Sequence, residues 1–86
     1  MLSTNKATKE IIDEYLDASK IHGATFHNQH EAYGVVSEEY IEFQDEVFKR
    51  DHDFDLMYNE AKQLAGVAMK TMVSIDKWRN KQSNAS

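Results

Sequence analysis

Glutamates carry whatever chemistry this sequence offers. Glu38, Glu39 and Glu42 lie in the segment SEEYIEFQDEVF, and Glu60 lies in MYNEAKQLAGVAMKTM. Glu39 and Glu42 are spaced i, i+3, and Glu60 and Gln63 repeat that spacing. On a helix such a pair shares one face. Two pairs on neighbouring helices would make an oxygen-rich pocket. Hard divalent cations such as Mg²⁺ and Mn²⁺ take oxygen ligands and often keep several waters. Crowded carboxylates repel one another unless a cation joins them, which is the physical reason to expect a metal. The competing reading is a solvated acidic face, the ordinary state of glutamates on helices. Glu38 fits that competing reading best.

The elements that must position these acids are helical. The chain has no proline and three glycines, Gly23, Gly34 and Gly66, so long stretches are free to be helix. Residues 5–21 form a first predicted helix, capped by Thr4 or Asn5, with Ile11, Ile12, Tyr15, Leu16 and Ala18 on its apolar face. Gly23 ends it. Residues 29–49 form a second, with Asn28 and Glu31 as a capping-box variant. Its seam is Tyr33, Val36, Tyr40, Phe43 and Val47. Gly34 would permit a close helix crossing. Lys49–Asp53 is a short polar turn, with Asp51 or Asp53 capping the third helix. That helix runs from about Phe54 to Trp78, with a stripe of Met57, Ala61, Leu64, Ala68, Met72 and Ile75. Residues 79–86 are polar and expected to fray.

On this reading Glu39, Glu42 and Glu46 border the seam of the second helix, and Glu60 and Gln63 border the stripe of the third. The fold class is all-α: an antiparallel helical hairpin plus an N-terminal helix. The apolar seams exceed what three helices of one chain can cover, so a homo-oligomeric helix bundle is expected.

Composition narrows the partners. Eighty-six residues allow a single domain spanning 1–86. A net charge of −5 argues against binding a nucleic acid polymer. A compact anionic ligand remains open if a metal inverts the local charge. Cysteine is absent, which fits a reducing compartment. No apolar run approaches the roughly 20 residues that span a bilayer, and the first ten residues do not read as a signal peptide. A cytoplasmic protein without membrane contact is expected.

Four histidines invite a metal reading, but His27 and His30 form only a pair and no Glu-x-x-His lies on the long helices. His22, His27, His30 and His52 therefore read as surface or capping residues, with His27 and His30 near any ligand pocket. Among the cations, Lys70 lies nearest the Gln63 flank and is the candidate for touching phosphate, whereas Lys62 faces solvent.

HEAYGVVSEEYIEFQDEVF followed by YNEAKQLAGVAMKTM resembles the MazG-like, all-α nucleoside triphosphate pyrophosphohydrolases, and among them the short phage or prophage type. Their signature is E-x-x-E on one helix and E-x-x-D on the next. Glu39-Tyr40-Ile41-Glu42 matches the first half, and Glu60-Ala61-Lys62-Gln63 matches the second except at its last residue. The resemblance covers about residues 29–76. It implies a helical dimer or dimer of dimers. It also implies Mg²⁺ or Mn²⁺ on Glu39, Glu42 and Glu60, and hydrolysis of a nucleoside triphosphate to the monophosphate and pyrophosphate. Gln63 would stand at the aspartate position. It offers a neutral carbonyl oxygen there and removes one charge. Glu46 is placed to supply the missing charge. The alternative is a catalytically weak or inactive helical relative, acting as an interaction or phage regulatory module.

Overall fold

The computed structural model describes residues 1–84, which form α1 (Thr4–His22), α2 (Gln29–Val47) and α3 (Phe54–Asn84). No strand occurs among the described residues, and no helix there is long and apolar enough to cross a membrane.

Each helix begins where a short polar side chain can satisfy its free amide groups. Asn28 Oδ1 accepts from the N–H groups of His30 and Glu31, both at 3.0 Å. Asp53 Oδ1 accepts from Asp55 and Leu56, both at 3.1 Å. The cap of α1 is Ser3, whose side chain accepts from Lys6 N–H, rather than Thr4 or Asn5. Glu31 does not close the capping box on Asn28; its Oε1 accepts from His27 N–H at 3.1 Å. Gly23 ends α1 with φ +84°, a conformation that costs glycine little.

α3 is the central element. α1 and α2 each pack on it and not on each other. The turn after Phe48 returns the chain, so α2 and α3 lie antiparallel. α3 runs on past Trp78 to Asn84. No glycine or proline interrupts it there, and Asp76 binds Arg79 at 2.6 Å and Asn80 at 3.4 Å along the helix surface. Ala85 and Ser86 lie outside the described residues.

The apolar seams face the wrong way for a closed single chain. Tyr33 is 77% exposed, Tyr40 54% and Met72 72%, and Ala61, Ala68 and Ile75 are exposed as well. The face of α2 that meets α3 carries the buried Ala32 and Glu46 and takes in the half-buried edge of that seam, Val36, Phe43 and Val47. Phe26 and Ala32 are the buried hydrophobic residues of the described chain. Gly34 faces open space and makes no helix crossing. Gly66 does: a Cβ there would stand 3.2 Å from Glu14 Cγ, so its bare backbone lets α1 come close.

Candidate metal centre and adjoining cavity

The rotation of α2 decides the site. With Tyr33 and Tyr40 of its apolar seam facing outward, Glu39 and Glu46 fall on the side that packs against α3 rather than on a flank. Glu60 comes from the first turns of α3. Glu39, Glu42 and Glu60 each bring a carboxylate oxygen to within 4.8 Å of the other two. Glu39 and Glu60 are half-buried, and Glu42 is exposed.

Burial and like charge both act on this cluster. Loss of solvent, then the charges of Glu42 and Glu60, push the Glu39 carboxyl up to about 7, with Glu14 adding to the effect. Glu60 is pushed upward by loss of solvent first, then by Glu42 and Glu46, against a downward pull from Lys49. One oxygen of Glu39 and one of Glu60 are buried without a hydrogen-bond partner. Such orphan acceptors are costly unless something satisfies them.

Glu46 is the most buried of these acids, 7% exposed. Its Oε1 accepts from Lys49 Nζ at 2.6 Å, while its Oε2 has no partner. The charge that Glu46 brings is thus half answered by Lys49. Gln63 lines a neighbouring cavity of about 610 Å³, within the range of small-molecule sites. Glu39 borders both the cluster and the cavity.

The cavity lies in the groove left because α1 and α2 do not touch. Its walls include Tyr15, His22, Phe26, His27 and Lys70. Lys70 Nζ stands 4.4 Å from the centre of the Phe26 ring, a cation–π contact. Phe26 is fixed from behind, its N–H donating to the fully buried Ser74 Oγ at 2.9 Å. Tyr15 Oη donates to the carbonyl of Ala24 at 2.9 Å and holds the same loop.

Some residues belong elsewhere. Lys62 is half-buried, near Glu10 at 4.0 Å and over the Tyr58 ring, and does not face open solvent. His52 stacks on Phe54. His27 lines the cavity and pairs with Glu31 at 3.0 Å, whereas His30 is not among the lining residues. Glu38 is exposed yet lines the cavity. Glu14, Tyr15 and Phe26 are site residues that sequence reasoning misses. The signal for Glu14 is Gly66 amid the small residues of α3, which marks where a neighbouring helix approaches.

Compared with known proteins, the chain matches no family model, no curated protein and no solved structure.

Proposed function

We propose that the chain is a metal-dependent nucleoside triphosphate pyrophosphohydrolase acting on ribo- or deoxyribonucleotides. The observation that carries this reading is the convergence of Glu39, Glu42 and Glu60 around oxygens that are buried and unpartnered. The donor set fits a hard cation: oxygen only, anionic, and too crowded to be comfortable alone. Glu39, Glu42 and Glu60 would hold Mg²⁺ or Mn²⁺, with Glu46 adding charge from behind. A bound divalent ion would screen the phosphate charge and lower the pKa of a water for attack at the α–β anhydride.

The chain's own residues divide the remaining work. The cavity beside Glu39 is large enough for a nucleoside, and Tyr15 and His27 offer ring surface to a base. Lys70 supplies the positive charge in that cavity for phosphate oxygens. Gln63 offers a neutral amide there and no base. The reaction class comes from the resemblance of the two glutamate pairs to the MazG-like signature. The same reading has the chain working as a homo-oligomer in the cytoplasm.

One feature favours a second reading. Gln63 in place of an aspartate leaves one charge fewer, which fits a catalytically weak or inactive helical relative acting as an interaction or phage regulatory module. Pyrophosphate release from a panel of nucleoside triphosphates, with Mg²⁺ or Mn²⁺ and with Glu39→Gln as control, separates the two. Metal-dependent release that the control abolishes supports the hydrolase. No release from any nucleotide favours the interaction module.

A further inference from the structure

We infer that the Lys49 ammonium is a tethered counter-ion that fills a second cation position, at Glu46, so that the carboxylate row takes one divalent ion where it would otherwise take two. This rests on the proposed metal reading of Glu39, Glu42 and Glu60, and its test separates the two.

Spacing sets the length of the row. Glu39, Glu42 and Glu46 stand at i, i+3 and i+7 on α2, which is one face over two turns. Glu46 lies about 6 Å along the axis beyond Glu42, at about 1.5 Å per residue. The ions of two-metal sites stand about 3.5–4 Å apart. The row is therefore long enough for a cation at each end. Glu60 feels both ends, since the charges of Glu42 and Glu46 both act on it.

Burial sets the Glu46 end apart from an ordinary surface pair. Lys9–Asp13, Lys20–Asp17 and Arg79–Asp76 also bridge a single helical turn, and both partners of each are more than half exposed. Pairs of that kind contribute little. The Glu46 side chain is 9% exposed, and the Lys49 side chain 53%. Water thus reaches the cation and not the acid. A buried carboxylate is costly without an opposite charge beside it. Lys49 Nζ supplies that charge, donating to Glu46 Oε1 at 2.6 Å. Glu46 Oε2 is buried and has no partner. One ammonium therefore answers half of a group that a divalent ion would answer whole.

The tether gives lysine the advantage at this position. Lys49 follows the C-cap Phe48 at the end of α2, where a cation also meets the negative end of the helix dipole. It lies three residues from Glu46, so the ammonium is held at high effective concentration and needs no ion from solution. Its charge reaches Glu60, and the charges of Asp45 and Asp53 act on it in turn. An ammonium has no open coordination position. It offsets Glu46 without activating a water, which leaves that task to the ion on Glu39, Glu42 and Glu60. Because Lys49 is half exposed, replacing it leaves the core packing untouched.

The test is Mn²⁺ titration of the full chain, with free Mn²⁺ followed by electron paramagnetic resonance. It compares wild type, Lys49→Ala, Lys49→Arg, and the double variant Lys49→Ala with Glu46→Gln. The expected counts are one ion per chain in wild type, two in Lys49→Ala, and one again in Lys49→Arg, whose guanidinium keeps the charge. The double variant should return the count to one. If Lys49→Ala fails to fold without metal, Lys49→Gln reports instead, since its amide still donates to Glu46 and carries no charge. One ion in wild type and in both uncharged variants overturns the inference and leaves the metal reading standing. So does a second ion already bound by wild type. No ion in wild type but one in Lys49→Ala supports the inference and removes the metal reading from the native chain. No ion in wild type or in any variant overturns both.

Discussion

The backbone N–H of Phe26 donates to Ser74 Oγ across 2.9 Å and forty-eight positions of sequence. Ser74 in turn donates to the carbonyl of Lys70 at 2.7 Å, one turn earlier on α3. One hydroxyl thus ties the loop that carries Phe26 to the helix that carries Lys70. The cation–π contact between those two side chains forms part of the cavity wall.

Removing that hydroxyl should loosen the wall. Ser74→Ala leaves the buried Phe26 N–H without an acceptor, at a cost of about 1–3 kcal/mol. Urea denaturation at fixed protein concentration reads the loss. Hydrogen exchange should show the Phe26 amide losing protection while the middle of α3 keeps its own. An unchanged Phe26 amide would mean the bond is not made in solution.

The carboxylate cluster makes stability depend on pH in an unusual direction. Glu39 titrates near 7 in the folded chain, well above an unfolded glutamate, and Glu60 is raised as well. The folded state therefore binds more protons than the unfolded state between about pH 4.5 and 7. Its stabilising contribution is full below the lower value and is lost as pH rises through the upper one. Metal-free protein should melt several degrees lower at pH 7.5 than at pH 5.5, since ~1 kcal/mol moves the midpoint of a chain this size by about 4–8 °C. Added Mn²⁺ should shrink the difference. A midpoint that climbs with pH across this window would show that the acids do not crowd one another.

Gln63 can be asked to take the charge that the resemblance would give it. Gln63→Asp adds a fourth carboxylate beside Glu39. Without metal it should lower the melting temperature at pH 7.5 by a few degrees, because one more like charge joins the crowd. With metal it should enlarge the stabilisation, because affinity rises with ligand charge. Equal metal-induced shifts in Gln63→Asp and wild type would place residue 63 outside the ion's reach.

Gly66 is where α1 reaches the site. Gly66→Val would drive a branched side chain toward Glu14 and the backbone of Tyr15. Overpacking of this kind costs roughly 1–3 kcal/mol. The variant should keep α2 and α3 helical and lose protection along α1, read by hydrogen exchange. Retained protection throughout α1 would show that its docking does not need the bare backbone.

What the sequence discloses follows the range of the interactions. Asn28, Asp53 and Gly23 mark helix ends that local hydrogen bonds and backbone freedom decide, so they are readable in place. The three helices follow from those marks and from the 3.6-residue apolar spacing. That spacing misdirects on facing. It groups Tyr33, Tyr40, Met72 and Ile75 as side chains that avoid water, whereas the structure leaves all four exposed. The spacing marks Glu39 and Glu46 as candidates, but their burial against α3 is not readable, because a single acid on a helix is ordinarily solvated. Glu14 and Phe26 reach the site only through the packing of α1 and the Ser74 bond, and neither carries a local pattern.

The central claim is that Glu39, Glu42 and Glu60 hold a divalent cation, and direct Mn²⁺ binding tests it without assuming any substrate. Titration of the full chain followed by the electron paramagnetic resonance signal of free Mn²⁺ counts bound ions. The account predicts saturable binding in wild type that Glu39→Gln and Glu60→Gln each weaken at least about tenfold, in step with the loss of a charged ligand, while circular dichroism shows both variants still helical. Binding of equal strength in wild type and both variants, or no binding at all, would contradict it.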